Sequence, residues 1–232
     1  MRIRKGDPFF VVNPKSFLFG DKLLKLAHAA NKLARQYEVT VLFTGPQTEL
    51  ANIVAECPDL IVTAQHMDSV ELGDAMGYVL ADSLCYIGVK AVVLNHADNP
   101  LTIGEIEKTI VRAKDAGLQT IVCADTVKEA QAIAMLAPDV ILAEPTELIG
   151  QNQKSDRIYV EATIEKIKEV NPSILVEQGA GIRTEADVAE LFRLGADGVG
   201  VTSGIVKAAD PVDMMEKMIR AAAQYKEVRR GK

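Results

Sequence analysis

Eight short runs dominated by Val, Ile and Leu recur along the chain, and helix-period segments fill the intervals between them. The runs are "FFVVN" (9–13), "TVLFT" (40–44), "LIVTA" (60–64), "AVVLN" (91–95), "QTIVC" (119–123), "DVILAE" (139–144), "SILVEQ" (173–178) and "DGVGV" (197–201). Strands apolar at nearly every position must be covered on both faces, which is the condition of a parallel sheet flanked by helices. The intervening segments have the matching period: "DKLLKLAHAANKLARQY" is amphipathic, and "TIGEIEKTIVRAKDAG" stops on Gly117 just before the next run. Runs begin about every 20–35 residues, the spacing of βα units, and no linker or low-complexity stretch interrupts them. Eight such units in 232 residues predict one (β/α)8 barrel domain over 1–232. An open doubly wound sheet is the alternative, although no G-x-G-x-x-G follows the first run.

Composition narrows the partners. Lys and Arg number 26 against 32 Asp and Glu, a net charge of −6. That balance argues against nucleic acid and against an anionic membrane, while leaving room for one focused basic site that takes a small anion. The N-terminal "MRIRKGDPFFVV" is too short in its apolar part for a signal peptide or a membrane span. Cys57, Cys85 and Cys123 are scattered and odd in number, which predicts reduced thiols in a cytoplasmic protein and no disulfide framework. Cys85 and Cys123 sit in apolar segments as core thiols would.

In a (β/α)8 barrel, function gathers where the strands end at their C-terminal side. Those ends are selective here. The first strand runs into Asn13 and Lys15, and the fourth into Asn95, His96 and Asp98. The sixth delivers Glu144, followed at once by Pro145, so a carboxylate stands where the core ends and regular structure must break. The seventh runs into "GAGI" (179–182) and the eighth into "TSGI" (202–205). Both glycine turns lead into helical stretches whose backbone N–H groups can hold a phosphate. A single lysine, histidine or glycine turn would ordinarily be a solvated charge, a hydrogen-bonded loop side chain or a plain tight turn. One cation, one imidazole and one carboxylate at the same end of one barrel are a more specific signal. His28, inside an amphipathic helix, reads as structural, and His66, after the third strand, as outside the chemistry.

Asn-x-Lys, Asn-His, "EPTELIG", "GAGI" and "SG", in this order from about Val11 to Pro211, resemble triosephosphate isomerase, and "AQHMD" (64–68) with the compact length is most similar to its short archaeal-type branch. The resemblance implies a cofactor-free, metal-free homo-oligomer, dimeric or tetrameric, that acts on a small phosphosugar in glycolysis and gluconeogenesis. It implies that Glu144 shuttles a proton, that His96 polarises the carbonyl as a neutral imidazole, and that Lys15 and Asn13 stabilise substrate charge. This division of labour is the family's known one, carried over through the resemblance. Gly150, Gly179, Ala180, Gly181, Ser203 and Gly204 would hold the substrate, with the segment after Glu144, including Gln151, Asn152 and Gln153, as a closing lid.

The sequence also departs from the family. Ala97-Asp98-Asn99-Pro100 stands where Ser-Glu-x-Arg is usual, Pro14 lies between Asn13 and Lys15, and Met76 replaces a Thr that usually reaches a neighbouring subunit. The lid lacks the family's second glycine. Alternatives to the triose phosphates are a four-carbon ketose phosphate and a non-catalytic phosphate-binding barrel.

Overall fold

A computed structural model of the chain describes residues 2–150 and 155–230. The apolar runs form parallel strands in chain order, β1 (Phe9–Val12), β2 (Thr40–Gly45), β3 (Ile61–Ala64), β4 (Ala91–Leu94), β5 (Gln119–Ala124), β6 (Val140–Ala143), β7 (Leu175–Gln178) and β8 (Gly198–Val201). Phe9 stands opposite both Thr40 of β2 and Gly198 of β8. The sheet is therefore a closed barrel, and the open-sheet alternative is excluded.

Closure explains why the strands are apolar throughout. Alternate residues point inward, where Phe9, Val11, Leu42, Ile61, Ile121 and Leu175 fill the barrel axis. The residues between them, such as Phe10, Val12, Val41 and Phe43, point outward into the layer beneath the helices. The ring of Phe9 lies directly over Gly198, where an added Cβ would be only 2.1 Å from it.

The helices that cover the barrel are α1 (Gly20–Tyr37), α2 (Leu50–Glu56), α3 (Ala81–Tyr86), α4 (Ile103–Ala116), α5 (Val127–Ala134), α6 (Arg157–Val170), α7 (Glu185–Arg193), α8 (Ser203–Val206) and α9 (Pro211–Arg230). The buried stripe of α1, including Leu23, Leu26, Ala30 and Leu33, has the helical spacing read in the sequence. Local chemistry sets the ends. Thr102 caps α4 by accepting from Glu105 N–H, and Gly117 closes it at φ +85°, a left-handed conformation. Thr184 and Asp187 form a reciprocal capping box on α7.

Every strand differs from expectation by one or two residues at one end or both, and two of the C-terminal ends bear on the site. β1 ends at Val12 and β6 at Ala143, so Asn13 and Glu144 are the first residues beyond their strands. At both positions the backbone N–H still bonds to the neighbouring strand, Asn13 to the Val201 carbonyl at 3.0 Å and Glu144 to the Ala124 carbonyl at 2.9 Å, and both side chains line the barrel mouth. Gln151, Asn152 and Gln153 lie outside the described residues. Cys57 and Cys123 are buried, while Cys85 is partly exposed, its thiol donating to the Ala116 carbonyl at 3.0 Å. Among the described residues no helix is long and apolar enough to cross a membrane.

Candidate active site

Lys15 is positioned by an Asx-type turn. Asn13 Oδ1 accepts from Lys15 N–H at 3.0 Å and from the buried Thr44 hydroxyl at 2.6 Å. Gln65 adds a bond from Nε2 to the Lys15 carbonyl at 3.2 Å. Together they hold Lys15 at φ +47°, a left-handed conformation rare for a residue with a side chain. With Oδ1 of Asn13 engaged twice, its amide nitrogen is the end that can donate into the cavity. Lys15 Nζ lies 3.2 Å from Asp98 Oδ2, and this hydrogen bond, ahead of the charge attraction, holds the Asp98 carboxyl below its usual range.

The fourth strand end is fixed from behind. Asn95 donates to the Cys123 carbonyl at 3.0 Å and accepts from Leu101 N–H at 2.9 Å, bracing the turn that carries His96. Asp98 N–H donates to His96 Nδ1 at 3.0 Å. Asp98 Oδ2 lies 3.3 Å from the same nitrogen. With Nδ1 accepting from the backbone, the ring hydrogen sits on Nε2. That Nε2 is buried without a hydrogen-bond partner, 3.5 Å from Glu144 Oε2.

Glu144 is pinned at the sixth strand end by its own N–H bonding to the Ala124 carbonyl at 2.9 Å. Beyond Pro145, Thr146 N–H donates to Asp125 Oδ1 at 2.7 Å, which ties the start of the next segment to the neighbouring strand end. The Glu144 side chain accepts through Oε1 from Ala180 N–H at 3.0 Å. The "GAGI" turn thus presents its N–H to an anion, as its sequence suggests, and the anion is the Glu144 carboxylate. Ala180 adopts φ +67° within that turn. Gly204 sits so close that an added Cβ would lie 2.4 Å from the Ile182 carbonyl oxygen. Glycine there lets the two turns converge.

A cavity of ≈570 Å³ opens between these ends. Asn13, Lys15, His96, Glu144, Gly150, Gly179, Ala180, Gly181 and Ser203 all line it, and Gly204 stands just behind Ser203. His28 is remote, on exposed α1, 2.9 Å from Glu56. His66 lies 3.3 Å from Asp68, outside the lining of this cavity but in an adjoining pocket shared with Asn13, Lys15, His96 and Asp98. Sequence reasoning missed the supports Thr44 and Gln65, and it missed Glu177. This glutamate of β7 is 2% exposed and lines the cavity from below. Burial, reinforced by the charge of Glu144, pushes its carboxyl up to about 8. Its signal was present as a carboxylate inside an otherwise apolar strand. Among the described residues no group of three or more His, Cys, Asp or Glu side chains is placed to hold a metal ion.

The arrangement sets an imidazole N–H donor and an ammonium against a carboxylate around one cavity at the barrel mouth. It can remove a proton from carbon while stabilising charge on an adjacent oxygen. Comparison with known proteins agrees. The family model for triosephosphate isomerase matches residues 8–222. The triosephosphate isomerase of Methanocaldococcus jannaschii is 34% identical over 215 residues, covering 90% of this chain and 98% of that one. Those of Saccharolobus solfataricus and Methanosarcina barkeri are each 33% identical, covering 93% of this chain and 96% and 99% of theirs.

Proposed function

The chain belongs to the triosephosphate isomerase family, and from that premise we propose that it interconverts glyceraldehyde 3-phosphate and dihydroxyacetone phosphate through Lys15, His96 and Glu144. The observation that carries the assignment is the unpaired Nε2–H of His96, 3.5 Å from Glu144 on one wall of the cavity that Lys15 also lines. Glu144 takes the proton from the carbon next to the carbonyl, and the electron pair moves to give an enediolate. His96 Nε2–H, Lys15 and the Asn13 amide stabilise the oxygen that gains charge. Glu144 then returns the proton to the neighbouring carbon, while the remaining hydroxyl proton passes by way of His96 Nε2 to the oxygen that was the carbonyl, so that the former hydroxyl carbon becomes the new carbonyl. Before this, Glu144 must give up Ala180 N–H, and the arriving phosphate is the natural replacement at the Gly179–Gly181 and Ser203–Gly204 turns. One anion thereby releases the other for chemistry.

The family match and the relatives do not favour the four-carbon ketose phosphate or the non-catalytic barrel. The scattered free thiols support a cytoplasmic setting. Leu72, Met76 and Tyr78, exposed on the segment after β3, support assembly of copies of the chain into a dimer or tetramer. The test is incubation with dihydroxyacetone phosphate in deuterated water. Turnover with deuterium appearing on carbon is expected, and absence of both turnover and exchange would refute the assignment.

A further inference from the structure

Glu177 has no part in the isomerisation just described, yet its carboxyl is almost fully buried. It points inward from β7, in the layer directly beneath the catalytic groups, and lines the same cavity as they do. Its Oε1 fills the place where a Cβ at position 200 would be, 2.3 Å from it, so Gly200 of β8 is the slot that admits the carboxyl. Its Oε2 is buried with no hydrogen-bond partner, and among the described residues no cation pairs with it. A carboxylate ion so placed would be desolvated and uncompensated, which costs far more than keeping its proton. The cavity already holds one carboxylate in Glu144 and, on the function proposed above, must accept a phosphate and an enediolate as well.

We propose that Glu177 is a second acid of the active site, held as a neutral carboxylic acid at the cavity floor, and that its ionisation expels the phosphosugar anion. Burial together with the charge of Glu144 places this ionisation at about 8. The titratable side chains that line the same cavity are Lys15, His96, Asp98, Glu144 and Lys207, and Cys123 of β5 lies near enough to feel the charges of both Glu144 and Glu177. Burial pushes the Cys123 thiol well above its usual range, away from this window. Below the transition the floor is uncharged and its O–H can donate into the cavity. Above it, a second fixed anion opposes both Glu144 and the substrate.

The inference rests on the isomerase reading, so the experiment reads the two separately. Affinity for glycerol 3-phosphate, an unreactive three-carbon phosphate, is measured from pH 7 to 9.5 for the wild type and Glu177→Gln, each normalised to its own value at pH 7. If only the neutral form binds, wild-type affinity falls about tenfold relative to the variant by pH 9, because the competent fraction falls by that factor. Equal pH profiles would overturn the gate while leaving the isomerase reading intact. Infrared difference spectra give a readout independent of substrate. A protonated-carboxyl band present at pH 7, lost by pH 9.5 and missing from the variant is expected, whereas an ionised Glu177 at pH 7 overturns the proposal even if no phosphosugar is bound or turned over. Should Glu177→Gln fail to fold, Glu177→Leu fills the same slot without a titratable group.

Discussion

The buried Glu177 carboxyl makes a quantitative claim on stability as well as on binding. In the folded chain it keeps its proton up to about pH 8, whereas in the unfolded chain it loses it at the ordinary value of 4.5. Between these values the folded state binds one more proton than the unfolded state, so stability falls as pH rises. The contribution is fully present below pH 4.5 and is gone once pH has passed through 8. The slope is about 1.4 kcal/mol per pH unit, and the whole window corresponds to about 5 kcal/mol as an upper limit. Local relaxation and water entry reduce that, so we expect about 2–5 kcal/mol. Glu177→Gln has no proton to hold and escapes the loss. Urea midpoints of both proteins at pH 5, 7 and 9, at one protomer concentration, give the comparison. The variant should gain on the wild type by about 2–4 kcal/mol between pH 5 and 9. Groups common to both proteins cancel. A difference that stays constant within about 0.5 kcal/mol across that range would refute the reasoning, because a carboxyl that titrates normally in the fold produces no such slope.

Other substitutions separate chemistry from scaffolding. Glu144→Gln keeps the shape of the side chain but cannot take a proton from carbon, so turnover should fall by about 10²–10⁴-fold or more while glycerol 3-phosphate still binds. Steady-state kinetics and calorimetry decide it, and unchanged turnover would remove Glu144 as the base. Gly204→Ala places a methyl 2.4 Å from the Ile182 carbonyl oxygen and must spread the two glycine turns. Phosphosugar affinity should fall at least tenfold with the fold retained, as read by calorimetry beside circular dichroism. Asp98→Ala removes the Lys15 partner, but Asp98 is 72% exposed, so stability should change by less than about 1 kcal/mol. Its effect should fall on KM, through a Lys15 that is no longer tethered.

Much of this was legible because a closed barrel writes itself into the chain twice. Doubly buried strands force the runs to be apolar throughout, and the fixed polarity of the βα units places every strand's C-terminal end at one mouth. Asn13, Lys15, His96 and Glu144 could therefore be grouped before any distance was known. What could not be read were contacts made by backbone groups, within one turn or between neighbouring strand ends. The proton on His96 is assigned by the backbone N–H of Asp98, two residues away, and no residue identity encodes that bond. The engagement of Ala180 N–H by Glu144 depends on β6 and β7 being neighbours in register, Ala143 opposite Gln178.

Glu177 shows where reading by alternation stops short and what would extend it. In a half-exposed strand, a polar residue two positions from Leu175 would reverse the apolar pattern and argue for solvent on that face. In a barrel neither face of β7 meets solvent. Leu175 lies on the barrel axis, so Glu177 must also point inward, while Gln178 points outward to the Thr163 hydroxyl of α6 at 3.1 Å. Room for it then has to come from the strand alongside, and β8 supplies it at Gly200. A carboxylate two residues inside the mouth of a strand, paired with an inward glycine on the next, is thus a joint signal that neither residue carries alone. Among the described residues no cation pairs with such an acid, and its Oε2 is buried without a hydrogen-bond partner. The fold favours the protonated state up to about pH 8, which makes the charge of the cavity floor a function of pH.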